Sequence, residues 1–205
     1  MASAACLAAA VHVRLADAAD RAYESPAPRP GLEIALGQAF TQPFGELRGE
    51  TGMLSVAHGG VAVDLGLGAR LDARWVTSAS LQYDELFAER AEGARGLTPG
   101  LAVRFHPFPY GSPNPWVELG VGYRFLWESF SPFAPSTSSH GLQPARLRVG
   151  ADVARLGQLV LAPFVGADVN VFLFQSPGAS SVIDDPRVST FVLAGVIGRL
   201  EMPSR

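Results

Sequence analysis

Residues 116–128 read Trp-Val-Glu-Leu-Gly-Val-Gly-Tyr-Arg-Phe-Leu-Trp-Glu. The odd positions from 117 to 127 are all large and apolar, whereas the even positions from 118 onward are Glu, Gly, Gly, Arg, Leu and Glu. Successive side chains of a β-strand point to opposite faces, so this alternation predicts a strand with one apolar and one polar face. A helix would mix the two classes of residue around its surface.

The same alternation recurs along the chain and predicts eight strands. It is weakest in the last strand, because Phe191, Leu193 and Ile197 place apolar side chains on the face that should be polar. The predicted strands are residues 32–40, 61–71, 74–84, 97–106, 116–128, 145–154, 158–174 and 188–200. This series of alternating segments separated by turn residues predicts an all-β fold.

The connections between these strands alternate in length. The second and third strands are joined only by Asp72-Ala73, and the sixth and seventh by Arg155-Leu156-Gly157, which predicts tight hairpins. The fourth and fifth are joined by a Pro-rich link, residues 107–115. The other links are long and polar, at residues 41–60, 85–96, 129–144 and 175–187. Short turns at one end and long loops at the other are typical of a bacterial outer-membrane barrel.

The composition agrees with a membrane barrel and excludes several other classes. Of 205 residues, 48% are hydrophobic and only 17% charged, and the mean hydropathy is +0.18. Apolar runs long enough for a membrane-spanning helix are missing from the sequence, so a closed barrel is the remaining way to cross a bilayer. The 16 basic residues are all Arg, and the net charge of −3 argues against nucleic-acid binding. A single Cys, Cys6, permits no intramolecular disulfide.

Aromatic residues concentrate at the two ends of the predicted strands. Two belts of aromatic rings separated by Leu, Val and Ala are what a bilayer selects, because these rings prefer the depth of the headgroups. We assign to these girdles Trp75, Trp116 and Phe105 near the short turns, and Tyr83, Trp127 and Phe172 near the long loops.

Taken together, the eight alternating strands, the unequal links and the segment at 115–125 resemble the small outer-membrane β-barrel proteins of the OmpA, OmpX and OmpW types. The resemblance covers residues 31–202 and implies an eight-stranded antiparallel up-and-down transmembrane barrel in the outer membrane of a Gram-negative bacterium. It also implies lipopolysaccharide and outer-membrane lipid as surroundings, and we expect a monomer. Such chains often end on an aromatic residue, whereas this one ends Met202-Pro203-Ser204-Arg205.

In such a barrel the polar strand faces point inward. Because eight strands enclose only enough space for their own side chains, buried charges there have to be paired. We predict a filled interior in which Arg–carboxylate pairs join the residues Glu33, Asp64, Arg70, Arg74, Arg104, Glu118, Arg124, Glu128, Arg146, Arg148, Asp152 and Asp168. A narrow polar passage lined by the same arginines is the alternative.

Residue patterns for catalysis, cofactors or metals are weak. A Ser–His–acid arrangement could draw only on His140 with Ser138 or Ser139 and on Asp184 or Asp185, and no sequence context fixes their geometry. The four histidines, at positions 12, 58, 106 and 140, have no metal-ligand spacing. We expect no enzyme activity and no cofactor, and His106 is expected to be a satisfied residue at the barrel rim.

The first thirty residues differ from the rest of the chain. Residues 1–13 are rich in Ala, and Ala16-Asp17-Ala18 has the small-x-small form of a signal-peptidase site, although no basic region precedes it. We interpret residues 1–18 as a partial signal peptide, with a short amphipathic helix or an unstructured lead as the alternative. The Pro-rich residues 19–30 then form a periplasmic linker.

The predicted function is envelope architecture or surface interaction. The first alternative is a narrow channel for small or hydrophobic solutes, which rests on likeness of fold alone. The second is a soluble lipocalin-like lipid binder, in which the apolar faces would point inward and the polar faces into water.

Overall fold

Hydrogen bonding along the backbone closes the chain into a β-barrel. The computed structural model describes residues 29–49, 51–88, 93–129, 136–176 and 181–204. Within them the long strands are β1 Gly31–Arg48, β2 Gly59–Arg70, β3 Trp75–Phe87, β4 Gly93–Phe105, β5 Asn114–Ser129, β6 Thr137–Asp152, β7 Leu159–Ser176 and β8 Val188–Pro203. Every long strand pairs antiparallel with its neighbour in sequence. The barrel closes where β8 pairs with β1, from Gly31 opposite Pro203 to Gly45 opposite Ser189.

Strands extend into several of the links that the sequence pattern assigned to long loops. The first link shrinks from 41–60 to 49–58, and it contains a two-residue strand, Thr51–Gly52, and a 3₁₀ turn, Met53–Ser55. The strand Ser181–Val182 pairs back onto β7, and Ala154–Leu156 joins the hairpin between β6 and β7. The barrel wall is therefore taller at the long-loop end than the alternation suggests.

A β-bulge explains why the start of β6 was missed. The register between β5 and β6 shifts between the pairs Gly120–Arg146 and Gly122–Gln143. Gln143 and Arg146 are both buried, whereas the two residues between them are exposed. Because the bulge puts an extra residue into β6, the alternation of apolar and polar residues changes phase there. On the N-terminal side of the bulge the strand extends back to Thr137.

The outer wall is apolar. Leu36, Leu101 and Leu119 are each more than 60% exposed on it, and similar Leu and Val side chains follow every long strand. Water would not support such a continuous apolar surface, whereas a bilayer does. This arrangement rules out the inverted, lipocalin-like interpretation. Within the described residues no helix is long and apolar enough to cross a membrane.

Aromatic side chains on this wall mark its two ends. At the short-turn end Trp75 and Phe105 pack together with ring centroids 4.6 Å apart, and Trp75 is 43% exposed. At the long-loop end Tyr83 and Trp127 are exposed by 40% and 39%. The strands of the barrel run from Gly31 to Pro203, and the predicted signal peptide lies outside the described residues.

Candidate functional site

The barrel interior contains buried ion pairs that begin at the short-turn end. Arg70 Nη2 lies 2.6 Å from Glu33 Oε1 and 3.1 Å from Glu201 Oε1. Arg104 bridges two carboxylates, with Nη1 3.1 Å from Glu33 Oε2 and Nη2 2.9 Å from Glu118 Oε2. Burial of these charges costs little net free energy only because each faces an opposite charge at hydrogen-bond distance.

The same network continues toward the long loops. Arg148 Nη2 donates to Asp64 Oδ2 at 2.6 Å and to Gln82 Oε1 at 2.8 Å. Gln82 Nε2 donates to Asp84 Oδ1 at 3.0 Å, and Arg124 Nη2 donates to Asp84 Oδ2 at 2.7 Å. Arg148 Nη1, 3.9 Å from Glu118 Oε1, joins the two halves. We call this set the ion-pair chain: Glu201, Arg70, Glu33, Arg104, Glu118, Arg148, Asp64, Gln82, Asp84 and Arg124.

Aromatic rings cover the guanidinium groups of the interior. Arg124 lies over the Phe191 ring at 3.6 Å from its centroid. Arg104 and Arg199 approach the Trp116 ring at 5.2 and 5.7 Å, from the short-turn end of the barrel. Such cation–π contacts stabilise a desolvated cation and at the same time occupy the space beside it.

A group of apolar side chains packs inside the barrel at the long-loop end, beside the buried Glu128. We call it the apolar cap: Leu47, Met53, Leu86, Ala94, Leu126 and Phe172, all at most 3% exposed. They belong to one buried hydrophobic cluster and come from five different strands and the 3₁₀ turn. After β1 the chain turns back, Thr51–Gly52 pairs with the end of β1, and the following 3₁₀ turn buries Met53.

Little space remains among the charged side chains. A cavity of about 20 Å³ lies between Glu33, Asp64, Arg104, Glu118 and Arg148, together with small residues of β1 to β3. That volume holds about one water molecule. The ion-pair chain and the apolar cap therefore pack the barrel as a core does.

Most of the predicted interior residues lie in the barrel. Those that are buried are Glu33, Asp64, Arg70, Arg104, Glu118, Arg124, Glu128, Arg146, Arg148 and Asp168. Arg146 Nη1 donates to Ser80 at 2.8 Å, and its Nε is 3.5 Å from Asp168 Oδ1. Asp152 is half-buried and forms an ion pair with Arg199.

Three predicted placements are wrong. Arg74 is exposed, because it belongs to the turn before β3, where Asp72 Oδ1 accepts the backbone N–H groups of Arg74 and Trp75 at 2.7 and 2.9 Å. Trp116 is 1% exposed and lies inside the barrel, since it shares the inward phase of Glu118. Phe172 is fully buried for the same reason, with the phase of Asp168, and so joins the apolar cap.

Sequence reasoning missed several interior residues. Arg199 is fully buried, but its strand was the one in which apolar residues occur on both faces. Asp84 and Gln82 are both fully buried and lie in the predicted strand 74–84, but the predicted network did not include them. The alternation of apolar and polar residues that placed Asp64 in the interior also places Asp84 there. Nothing in the sequence, however, shows that Asp84 pairs with Arg124.

The residues considered for catalysis are not joined in a triad. Ser139 is buried inside the barrel, whereas His140 faces outward and its Nδ1 lies 2.6 Å from the Tyr123 hydroxyl. Within the part of the chain that is described, no hydrogen bond links His140 to Ser138, Ser139, Asp184 or Asp185. Nor does that part contain a group of three or more His, Cys, Asp or Glu side chains able to hold a metal ion.

His106 closes the short-turn end of the interior. It follows the last residue of β4, outside the membrane-spanning strands, and its side chain is fully buried. Its Nδ1 lies 3.1 Å from the side-chain amide of Asn114. Burial, and then the positive charges of Arg199 and Arg70, lower the pKa of His106 to about 3, so the ring is neutral at physiological pH.

The closed antiparallel barrel, the apolar outer wall and the paired charges inside define a membrane-spanning β-barrel protein. No family model matches the sequence, and no curated protein matches it. Several solved structures, however, have a similar fold. The chain is similar to Neisserial surface protein A, at 14% identity and a TM-score of 0.59, over 84% of this chain and 97% of that one.

Two further solved structures have the same fold. The outer membrane protein OprG from Pseudomonas aeruginosa is 14% identical with a TM-score of 0.52, over 85% of this chain and 98% of that one. The outer membrane protein AlkL, in lipid bilayers, is 11% identical with a TM-score of 0.52, over 88% and 95%. The fold of this chain is therefore that of the small eight-stranded outer-membrane β-barrels.

Proposed function

We propose that this protein is a non-conducting barrel of the outer membrane with a structural or surface-interaction role. The observation that carries the proposal is the packing of the interior, where the ion-pair chain lies beneath the apolar cap. Ions crossing such a barrel would have to break buried pairs, such as that between Arg104 and Glu118 at 2.9 Å, and then pass between the packed side chains of the apolar cap.

The apolar cap supports a closed barrel more strongly than the ion pairs do. Paired charges can exchange partners, and a polar interior can admit water, so the ion-pair chain alone is compatible with a narrow passage. Fully buried side chains such as Met53, Leu126 and Phe172 offer no polar partner to an ion, which leaves the buried Glu128 as the charged group among them. Exposed residues at the long-loop end are then the part of the protein available to partners outside the cell.

Single-channel recording in planar lipid bilayers tests this proposal. The refolded full chain is expected to give no stepwise current, while a wide porin added to the same bilayer gives openings and serves as the positive control. A heat-dependent shift in gel mobility establishes beforehand that the barrel has folded. Reproducible openings of one size, absent from a boiled sample, would support the narrow-channel alternative and contradict the proposal.

The proposal also excludes enzyme activity on membrane lipids. The outward position of His140 and the burial of Ser139 on the opposite face support it. Lipid A from cells expressing the wild type, the variant His140→Ala or an empty vector is expected to give identical mass spectra. A modification present only with the wild type would contradict this part of the proposal.

A further inference from the structure

An open groove lies at the long-loop end of the barrel, between two segments of the chain. One side is formed by residues 181–185, which we call the arm, and the other side by Gly49 and Thr51, which follow β1. The groove has a volume of about 390 Å³. The Gly49 N–H donates to the Asp185 carbonyl oxygen at 3.4 Å, so the two sides are in contact. The space between them can hold a small ligand together with several water molecules.

The side-chain amide of Gln175 lines this groove and is available to a ligand. Gln175 lies next to the end of β7 and is only 7% exposed, so its side chain is almost fully withdrawn from bulk water. Its main-chain oxygen accepts a hydrogen bond from the Ser181 hydroxyl at 3.0 Å, but within the described residues its side-chain amide forms none. Buried polar groups are paired in folded proteins, so this amide calls for a partner in the groove.

Further oxygen atoms line both sides of the groove. The Ile183 N–H donates to the Leu173 carbonyl oxygen of β7 at 2.9 Å. Because alternate residues of an antiparallel pair direct their N–H and C=O groups to opposite sides, the preceding Val182 turns its carbonyl oxygen away from β7. Ser181 and Thr51 add hydroxyl oxygens from the two sides. The groove therefore offers neutral oxygen atoms in addition to the buried amide.

The groove and its rim carry an excess of negative charge. Asp184 and Asp185 line the groove. Arg187 Nη2 lies 2.8 Å from Asp185 Oδ2, and its Nε lies 3.8 Å from Glu46 Oε2. Asp184 forms no ion pair within the part of the chain that the structure describes. Three carboxylates and one guanidinium give these four side chains a net formal charge of −2, which favours a divalent cation.

We propose that the groove binds a Ca²⁺ ion, with Asp184 as its charged ligand and the Gln175 amide oxygen, hydroxyl groups and main-chain carbonyl oxygens completing the shell. Ca²⁺ takes about six to eight oxygen ligands in irregular geometry, whereas Mg²⁺ demands a nearly ideal octahedron. Two loop segments that contribute mainly neutral oxygens suit the irregular geometry. Few charged ligands also predict a weak site, of the strength found in extracellular modules.

The bound ion would tie the arm to the chain after β1. Thr51 belongs to the short strand that pairs with the end of β1, and Ile183 of the arm belongs to the same buried cluster as the apolar cap. A ligand held by both segments stabilises the long-loop end against local opening. This inference goes beyond the proposed function, and it uses the proposed outer-membrane location only to place the groove outside the cell.

Isothermal titration calorimetry of the folded full chain in detergent tests the site. The probes are CaCl₂ and MgCl₂ at constant ionic strength. The variants are Asp184→Asn and Gln175→Met. Their matched controls are Glu85→Gln, which removes an exposed carboxylate of the outer wall at the same end, and Gln38→Met, at an exposed position of β1. The heat-shift gel verifies folding of every variant.

The wild type is expected to bind one Ca²⁺ per chain with a Kd of about 0.1–1 mM, and Mg²⁺ at least about tenfold more weakly. Asp184→Asn should weaken Ca²⁺ binding about tenfold through loss of the charged ligand, and Gln175→Met about threefold through loss of a neutral one. Both controls should stay within about twofold of the wild type. Saturating Ca²⁺ should slow hydrogen exchange of the arm amides in the wild type and leave it unchanged in Asp184→Asn.

Three results would overturn the inference. Titration to about 10 mM Ca²⁺ without saturable heat would mean that the groove holds no ion of this class. Equal affinity for Mg²⁺ would show screening of an acidic surface by any divalent cation. Equal losses in Asp184→Asn and Glu85→Gln would show an effect of net charge only. Because bilayer recording reports on the interior and calcium titration on the arm, failure of this site and failure of the non-conducting barrel are distinguishable.

Discussion

The interior of this barrel differs between its two ends. At the level of the short turns and the bilayer, the inward side chains include charged residues such as Arg70, Arg104 and Glu118, and the outward ones are apolar. At the long-loop end the inward side chains include the apolar cap residues Leu126 and Phe172 beside the buried Glu128, and the outward ones include Glu85 and Arg95.

The surroundings of the barrel explain this reversal. Lipid contacts the wall in the middle of the barrel, so apolar groups are favoured outside and polar groups are confined within. Above the girdle the wall meets water, and the ordinary preference for a buried apolar core returns. One set of continuous strands thus follows the rules of a membrane barrel and then those of a soluble one.

The largest effect is expected from breaking the ion-pair chain. Arg104→Met leaves Glu33 and Glu118 buried without their shared cation, which should cost about 3–5 kcal/mol of unfolding free energy. Urea unfolding in lipid vesicles measures this cost. Arg155→Met is the control, since Arg155 is 40% exposed in its pair with Glu201 and should change stability by about 0–1 kcal/mol. Equal losses of unfolding free energy in the two variants would show that the buried ion pairs contribute no more to stability than an exposed pair does.

A substitution in the apolar cap tests the packing at the long-loop end in the same way. Leu126 is fully buried, so Leu126→Ala should leave a cavity and cost about 2–5 kcal/mol in the same assay. Leu119→Ala, on the same strand but 62% exposed toward lipid, should cost less because lipid chains fill the space. If Leu119→Ala were the more damaging variant, the cap would not be a packed core.

The sequence predicts the fold well because alternation reports directly on which face meets lipid. The same signal placed Asp64, Arg148 and eight other charged residues in the interior. It could not show which strands oppose each other across the barrel, so partners such as Arg124 and Asp84 depend on closure of the barrel. The alternation also failed where a strand passes from lipid to water, as at Phe172 and Phe191. It failed again at the bulge in β6, which shifts the phase of inward and outward side chains.

The reversal also predicts opposite tolerance of charge on the outer wall. Val121 is 54% exposed in the middle of β5, so Val121→Arg places a charge against lipid and should cost about 2–4 kcal/mol of unfolding free energy. Val182, 68% exposed in the short strand beyond β7, should accept Arg without a measurable change. Urea unfolding in lipid vesicles compares the two variants. Equal losses of unfolding free energy would mean that Val182 also contacts lipid and that the bilayer extends further along the barrel than we infer. A substitution at the neighbouring inward residue Gly122 would not be a milder control, since a Cβ there would lie 2.8 Å from the Pro99 carbonyl oxygen.

The smallest expected effect concerns the closed short-turn end and appears only with pH. His106 has its pKa lowered to about 3 in the folded protein, against an ordinary value of 6.5. Between these values the unfolded chain binds a proton that the folded protein does not, so stability falls as the pH is lowered from 6.5 toward 3. The slope from this group approaches about 1.4 kcal/mol per pH unit.

His106→Gln isolates that contribution, because Gln keeps a hydrogen-bonding side chain and does not titrate. Unfolding free energies between pH 7 and pH 5, above the range in which carboxylates protonate, should decline for the wild type and stay nearly level for the variant. The same slope in both proteins would mean that His106 becomes protonated without unfolding, and that the short-turn end admits water to the ring. Water would then reach the ion-pair chain from the short-turn end. The two ends of the interior would differ in their access to water, and not only in the charge of their side chains.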